Sequence, residues 1–126
     1  MINDNELRIG NLVRNESGET LLVKNIMTHF CKVIMPDGKH RRFKYEDLYP
    51  LDIDEYELRM LGFTPVYDLW EIGSFRLEEF DFIDRKEWYL IHYDSTFTEI
   101  RAKSIHNLQN LYLAITQKEL DYKPLI

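Results

Sequence analysis

The densest run of reactive side chains in this 126-residue sequence is Lys39-His40-Arg41-Arg42-Phe43-Lys44. In an extended strand successive side chains alternate faces, so Arg41 and Phe43, followed by Tyr45, share one side and His40, Arg42 and Lys44 the other. Cations beside aromatic rings can track a phosphate backbone while bases stack. Lys39, Arg41, Arg42 and Lys44 are therefore the candidate nucleic-acid-binding residues. Two ordinary uses compete with that chemistry. Lysine and arginine on a hairpin edge discourage sheet-to-sheet aggregation, and a basic strand can dock on the chain's own acidic part. The formal charge of −6 also counts against it, because nucleic-acid binders are typically basic over the domain.

A second polar group lies near the C-terminus. His106, Gln109 and Asn110 fall at helical spacing opposite the apolar stripe of Ile105, Leu108, Leu111, Tyr112 and Ile115. They are the candidate partner-binding residues, although amides at a helix start more often satisfy nearby backbone groups. Glu78, Glu79, Asp81 and Asp84 bring carboxylates together but lack the ligand spacing and sharp glycine of a calcium loop. An ordinary solvated strand and turn is the expectation there. His29, His40, His92 and His106 form no zinc spacing with Cys31. His92, beside Trp88 and Leu90, reads as a core-edge histidine. Cys31 becomes a nucleophile only if His29, two residues away, activates it; a buried inert thiol is the favoured reading. No phosphate-binding glycine loop and no nucleophile elbow occurs. The sequence thus points away from an enzyme, and no cofactor or metal is expected.

The elements that must carry these residues follow from pattern. Residues 1–50 hold eight Lys/Arg against seven Asp/Glu, and residues 51–126 eight against fifteen, so a division falls near Pro50. In the first part, 7–13 with a bend at Gly10, 20–23, 30–35 and 40–45 read as short strands, separated by Asn15-Glu16-Ser17-Gly18 and Pro36-Asp37-Gly38. Four or five short strands in fifty residues suggest a small SH3-like β-barrel. Asp54 caps a short helix over 55–61 that Gly62 ends in the left-handed conformation. Strands over 67–72, 74–82, 87–93 and 97–101 form an antiparallel meander, with a bulge near Glu78-Glu79, or a break into two strands, to reconcile Phe75 and Leu77 with Phe80 and Phe82. A C-terminal helix covers one face of it, and the tail from Asp121 to Ile126 is loosely held. No apolar run approaches the about 20 residues of a membrane span. The first six residues lack the basic start and apolar core of a signal peptide, and one cysteine suits a reducing compartment. A cytoplasmic setting is expected, with no membrane partner.

Leu7-Arg8-Ile9-Gly10-Asn11-Leu12-Val13, Leu61-Gly62-Phe63 and His106-Asn107-Leu108-Gln109-Asn110-Leu111-Tyr112-Leu113-Ala114-Ile115-Thr116 together resemble a family. It comprises small uncharacterised proteins of Bacteroides-type bacteria and their phages and mobile elements. The resemblance covers roughly residues 6–120 and implies a bacterial or phage origin. It supplies no substrate, cofactor or catalytic residue. Gln117 stands where members often have glycine, which removes a favoured helix cap.

The expectation is an α+β chain in three parts: an SH3-like barrel over 1–50, a helical linker over 51–63, and a sheet with its helix over 64–126. The expected role is a non-catalytic protein-binding or assembly module of a phage or mobile element, its partner another protein or a second copy. The alternative is a nucleic-acid-binding accessory protein that uses residues 39–44.

Overall fold

The two-residue period of an extended strand buries Leu21, Val23, Cys31 and Val33 along Thr20–Ile26 and Phe30–Ile34 and leaves Thr20, Leu22, Phe30, Lys32 and Ile34 beside them half-buried. The computed structural model describes residues 2–94 and 96–122; of the tail, the last four residues lie outside the described residues, as does Ser95, between the expected strands over 87–93 and 97–101. The protein is α+β, built of antiparallel sheets with a C-terminal helix. It divides into two compact units, Met1–Asp52 with Ser104–Asn110, and Ile53–Lys103 with Leu111–Ile126.

The first unit contains β1 (Leu12–Arg14), β2 (Thr20–Ile26), β3 (Phe30–Ile34), β4 (His40–Lys44) and β5 (Tyr49–Pro50), in the order β4-β3-β2-β1-β5. Leu7–Gly10 lies outside β1: the chain turns at Gly10, whose φ of 95° suits glycine, and Gly10 N–H donates to Val23 O. Lys44 and Tyr49 sit at opposite ends of the sheet order, yet only five residue steps join them. Those steps reach at most about 18 Å when extended, and Tyr45–Asp47 is wound into a tighter 3₁₀ turn. The outer strands of a flat five-stranded sheet lie about 19 Å apart, so this sheet must curl. No ladder joins β4 to β5 among the described residues. The concave face holds Ile2, Leu7, Val13, Leu21, Val23, Cys31, Val33, Met35 and Leu48 as one apolar core.

The second unit starts with α1 (Glu55–Met60). Asp54 caps it by accepting from Glu57 N–H at 2.8 Å, and Gly62 follows at φ 94°. Leu58 and Leu61 are buried, as their spacing requires. Five strands follow in meander order: β6 (Thr64–Val66), β7 (Leu69–Ile72), β8 (Phe75–Asp81), β9 (Lys86–Tyr93) and β10 (Thr96–Ala102). The slip in the β8–β9 ladder falls between Arg76 and Leu77, where Arg76 faces His92 and Leu77 faces Leu90, and not at Glu78-Glu79. Phe75 is the hub of the packing, edge-on to Phe63 at 6.1 Å, Tyr93 at 6.3 Å and Tyr112 at 5.0 Å. Each such pair adds about 0.5–1.5 kcal/mol beyond area burial.

The last helix, α2 (Ile105–Thr116), begins in the first unit and ends in the second. Ser104 Oγ accepts from Asn107 N–H at 3.3 Å at its start. Gln117 occupies the left-handed conformation at its end, at φ 60°. No helix among the described residues is long and apolar enough to cross a membrane.

Candidate functional site: the edge of the first sheet

Hairpin geometry decides which side chains meet β4. The turn at Pro36-Asp37-Gly38 closes with Met35 N–H donating to Lys39 O at 2.7 Å, and pairs Lys32 with Arg42, Phe30 with Lys44 and Ile34 with His40. Lys32 therefore joins His40, Arg42 and Lys44 on the convex face. The Arg42 guanidinium lies 5.1 Å from the centre of the Phe30 ring, a cation–π contact that holds it flat on that face. β2, β3 and β4 contain no aspartate or glutamate. Lys39, His40, Arg41, Arg42 and Lys44 are exposed, and no ion pair engages Arg41, Arg42 or Lys44 among the described residues. β4 ends its sheet, with a neighbour on one side only.

Beside this edge opens a cleft of about 450 Å³. Arg41, Arg42 and half-buried Phe43 line it together with Glu16 and Glu19 of the β1–β2 turn and with Asp47. Asn15 shapes the turn: its Oδ1 accepts from Glu19 N–H at 2.9 Å and its Nδ2 donates to Glu19 Oε1 at 3.0 Å. Arg41, an aromatic ring and three carboxylates thus gather around the cleft, while the Arg42 guanidinium lies over Phe30 on the convex face. A phosphate backbone would be repelled by those carboxylates; an extended peptide of mixed charge would not.

The polar residues of α2 are placed otherwise. Gln109 is buried, its Oε1 accepting from Leu12 N–H at 2.8 Å and its Nε2 donating to Gly10 O at 3.0 Å. Asn110 accepts from Arg8 Nε at 2.7 Å and Asn11 Nδ2 at 2.9 Å, and donates to Glu6 O at 2.9 Å. His106 is buried, with Nδ1 3.1 Å from Ser104 Oγ and Nε2 3.5 Å from Glu6 Oε2. Burial holds its pKa below the ordinary histidine value, with Glu6 opposing that shift. These side chains serve as the missing neighbours of the irregular segment from Glu6 to Leu12.

The remaining candidates do not converge. Cys31 is fully buried and burial pushes its thiol pKa up to about 11, while His29 is exposed in the turn before β3 and off its strand. Glu78 and Glu79 lie on β8, Asp84 pairs with Arg85 at 3.0 Å, and Glu79 approaches Lys86 at 3.8 Å. No group of metal-ligating side chains gathers among the described residues. His92 Nδ1 lies 3.2 Å from Arg76 Nη1, and Arg76 Nε lies 2.6 Å from Glu71 Oε2. Glu87, nearly buried on β9, accepts from Arg85 at 2.6 Å and from the Tyr89 hydroxyl at 2.8 Å; those bonds hold its carboxyl below the usual range.

Lys32, Phe30, Glu16, Glu19 and Asp47 are the site residues that sequence reasoning missed. A hairpin centred on Asp37 does pair Lys32 with Arg42, so that signal was present. The carboxylates of the cleft carried none, because only the curl of the sheet brings the β1–β2 turn beside β4. No family model matches this chain, and no curated protein or solved structure matches it either.

Proposed function

We propose that the protein is a non-catalytic protein-binding module, of the kind carried by phages and mobile elements, and that β4 and its cleft receive an extended segment of a partner protein. The single observation that carries this reading is the mixed-charge cleft running beside an exposed edge strand. An extended peptide adds a strand to such an edge through main-chain hydrogen bonds, while side-chain pockets supply selectivity. Acidic side chains of the partner face Arg41, and basic ones face Glu16, Glu19 and Asp47. An SH3-like barrel is the finer fold reading. It is supported by the strand order β4-β3-β2-β1-β5, by the 3₁₀ turn between β4 and β5, and by the curl that the short connection imposes. A cytoplasmic setting belongs to the same reading and is supported by the buried, protonated thiol of Cys31.

A second reading, a nucleic-acid-binding accessory protein, is favoured by the convex face alone, where Lys32, His40, Arg42 and Lys44 lie on one side of β3 and β4 and Arg42 stacks on Phe30. One NMR titration of amide shifts separates the two. The probes are an octapeptide of alternating Glu and Lys, and an eight-nucleotide oligothymidylate. The protein-binding reading expects the peptide to move amides of β4 and of Asn15–Glu19, and expects Arg41→Glu with Arg42→Glu to abolish the response. No shift at about 1 mM peptide, a free energy of only about −4 kcal/mol, sinks it. Salt-sensitive shifts at Phe30, Lys32, Arg42 and Lys44 with the oligonucleotide establish the second reading instead.

A further inference from the structure

Among the described residues the two sheets have four ends, and three of them discourage a second copy. β5 is two residues long and ends on Pro50. β6 is three residues long with Pro65, which lacks a backbone donor, at its centre. β4 would bring Arg41, Arg42 and Lys44 against the same cations of a second β4. β10 differs from all three. It is seven residues long, has no proline or lysine, carries one glutamate and one arginine, and leaves Phe97 71% and Ile100 42% exposed. An edge of that length and composition is a template for another strand.

We infer that β10 is the self-association edge of the protein, pairing antiparallel with β10 of a second copy about a two-fold axis at Ile100. The inference deepens the assembly reading and rests on it. Charge selects the register. With the axis at Ile100, Glu99 lies opposite Arg101 of the second copy, and the same pair recurs across the axis. With the axis at Glu99 two glutamates meet, and with the axis at Arg101 two arginines meet; like charges directly opposite are destabilising. Ile100 then faces its own counterpart and removes its exposed side chain from water. Arg101 lies 3.7 Å from Glu87 and stays 45% exposed, which leaves guanidinium donors for the incoming glutamate. The slip in the β9–β10 ladder between Phe97 and Ile100 twists the first half of the strand. The slip falls at Thr98 and Glu99, so the two-copy ladder is short and centred on Ile100, and the association is weak.

Cysteine cross-linking tests the register. An axial pair in an antiparallel ladder has Cα atoms about 4.5–5.5 Å apart, inside the about 4.4–6.8 Å that a disulfide spans. Ile100→Cys is expected to form a covalent dimer under mild oxidation several-fold faster than Phe97→Cys, whose counterpart lies about 20 Å away in this register. The only native thiol, Cys31, is buried and does not interfere. Light scattering on the unmodified chain is expected to show a mass rising above 15.3 kDa as concentration increases, with Glu99→Arg abolishing the rise. Equal cross-linking rates at the two positions, or a constant monomer mass up to about 1 mM, overturn the inference. None of these three variants touches β4. A monomer that still binds the peptide overturns self-association alone, and a dimer that binds none overturns the β4 reading alone.

Discussion

The cations of β4 and the amides of α2 are the two richest polar groups of the first unit, and their surroundings are opposite. Arg41, Arg42 and Lys44 stand in water on a strand with one neighbour. Gln109 and Asn110 are spent on backbone and side-chain groups between Glu6 and Leu12, where the buried Leu12 N–H and Asn11 amide would otherwise lack these partners. Residue type alone does not separate the cases, since both groups are polar and both lie on a regular element. What separates them is whether a neighbouring segment leaves donors and acceptors unpaired. An amide beside an irregular buried segment becomes part of the fold, whereas a cation on a sheet edge remains available for a partner.

The comparison breaks or sharpens under substitution, and the largest effect belongs to Gln109. Gln109→Ala removes the partners of Leu12 N–H and Gly10 O together, and each orphaned buried group costs about 1–3 kcal/mol. Urea unfolding should show a loss of about 2–4 kcal/mol; a loss below 0.5 kcal/mol would break the contrast. Asn110→Ala, at a half-buried site, comes next, with an expected loss of about 1–2 kcal/mol in the same measurement.

A smaller effect is the pH dependence of His106. Burial lowers its native pKa below the ordinary 6.5, so the unfolded chain binds more protons as the pH falls. The stability this group contributes is complete above pH 6.5 and declines as the pH drops below that value towards the lowered native pKa. Urea midpoints at pH 7.5 and pH 5.5 should therefore differ, and His106→Gln should shrink the difference. The smallest effect belongs to β4: Arg41→Glu with Arg42→Glu should change stability by no more than about 0.5 kcal/mol. A large loss there would mean that the strand's cations hold the fold and are not free for a partner.

Much of the architecture was legible because local chemistry decided it. Pro36-Asp37-Gly38 marked the β3–β4 hairpin, Asp54 and Gly62 bounded α1, and alternation over 40–45 separated the two faces of β4. Two short strands, Tyr49–Pro50 and Thr64–Val66, escaped notice, since two or three residues carry no period and both contain proline. Leu7–Gly10 reads as strand by composition, yet it turns because Gly10 adopts φ 95° and its amide is taken by Val23. The placement of the bulge also needed the structure, because parity shows that a slip exists in a ladder without fixing where both strands can absorb it.

By itself the sequence determined the α+β class, the cationic strand and its two-sided alternation, and the absence of any recognised catalytic or metal-binding spacing. These are properties of neighbours along the chain, where backbone periodicity and turn chemistry act over a few residues. Tertiary structure alone decided that Gln109 is buried against Leu12 and Gly10, that Glu16, Glu19 and Asp47 join Arg41 and Arg42 around one cleft, and that β10 is left as the open edge of its sheet. The physical reason is that hydrogen-bond satisfaction, charge juxtaposition and edge exposure belong to pairs of segments distant in sequence, and no local pattern encodes which segments will meet.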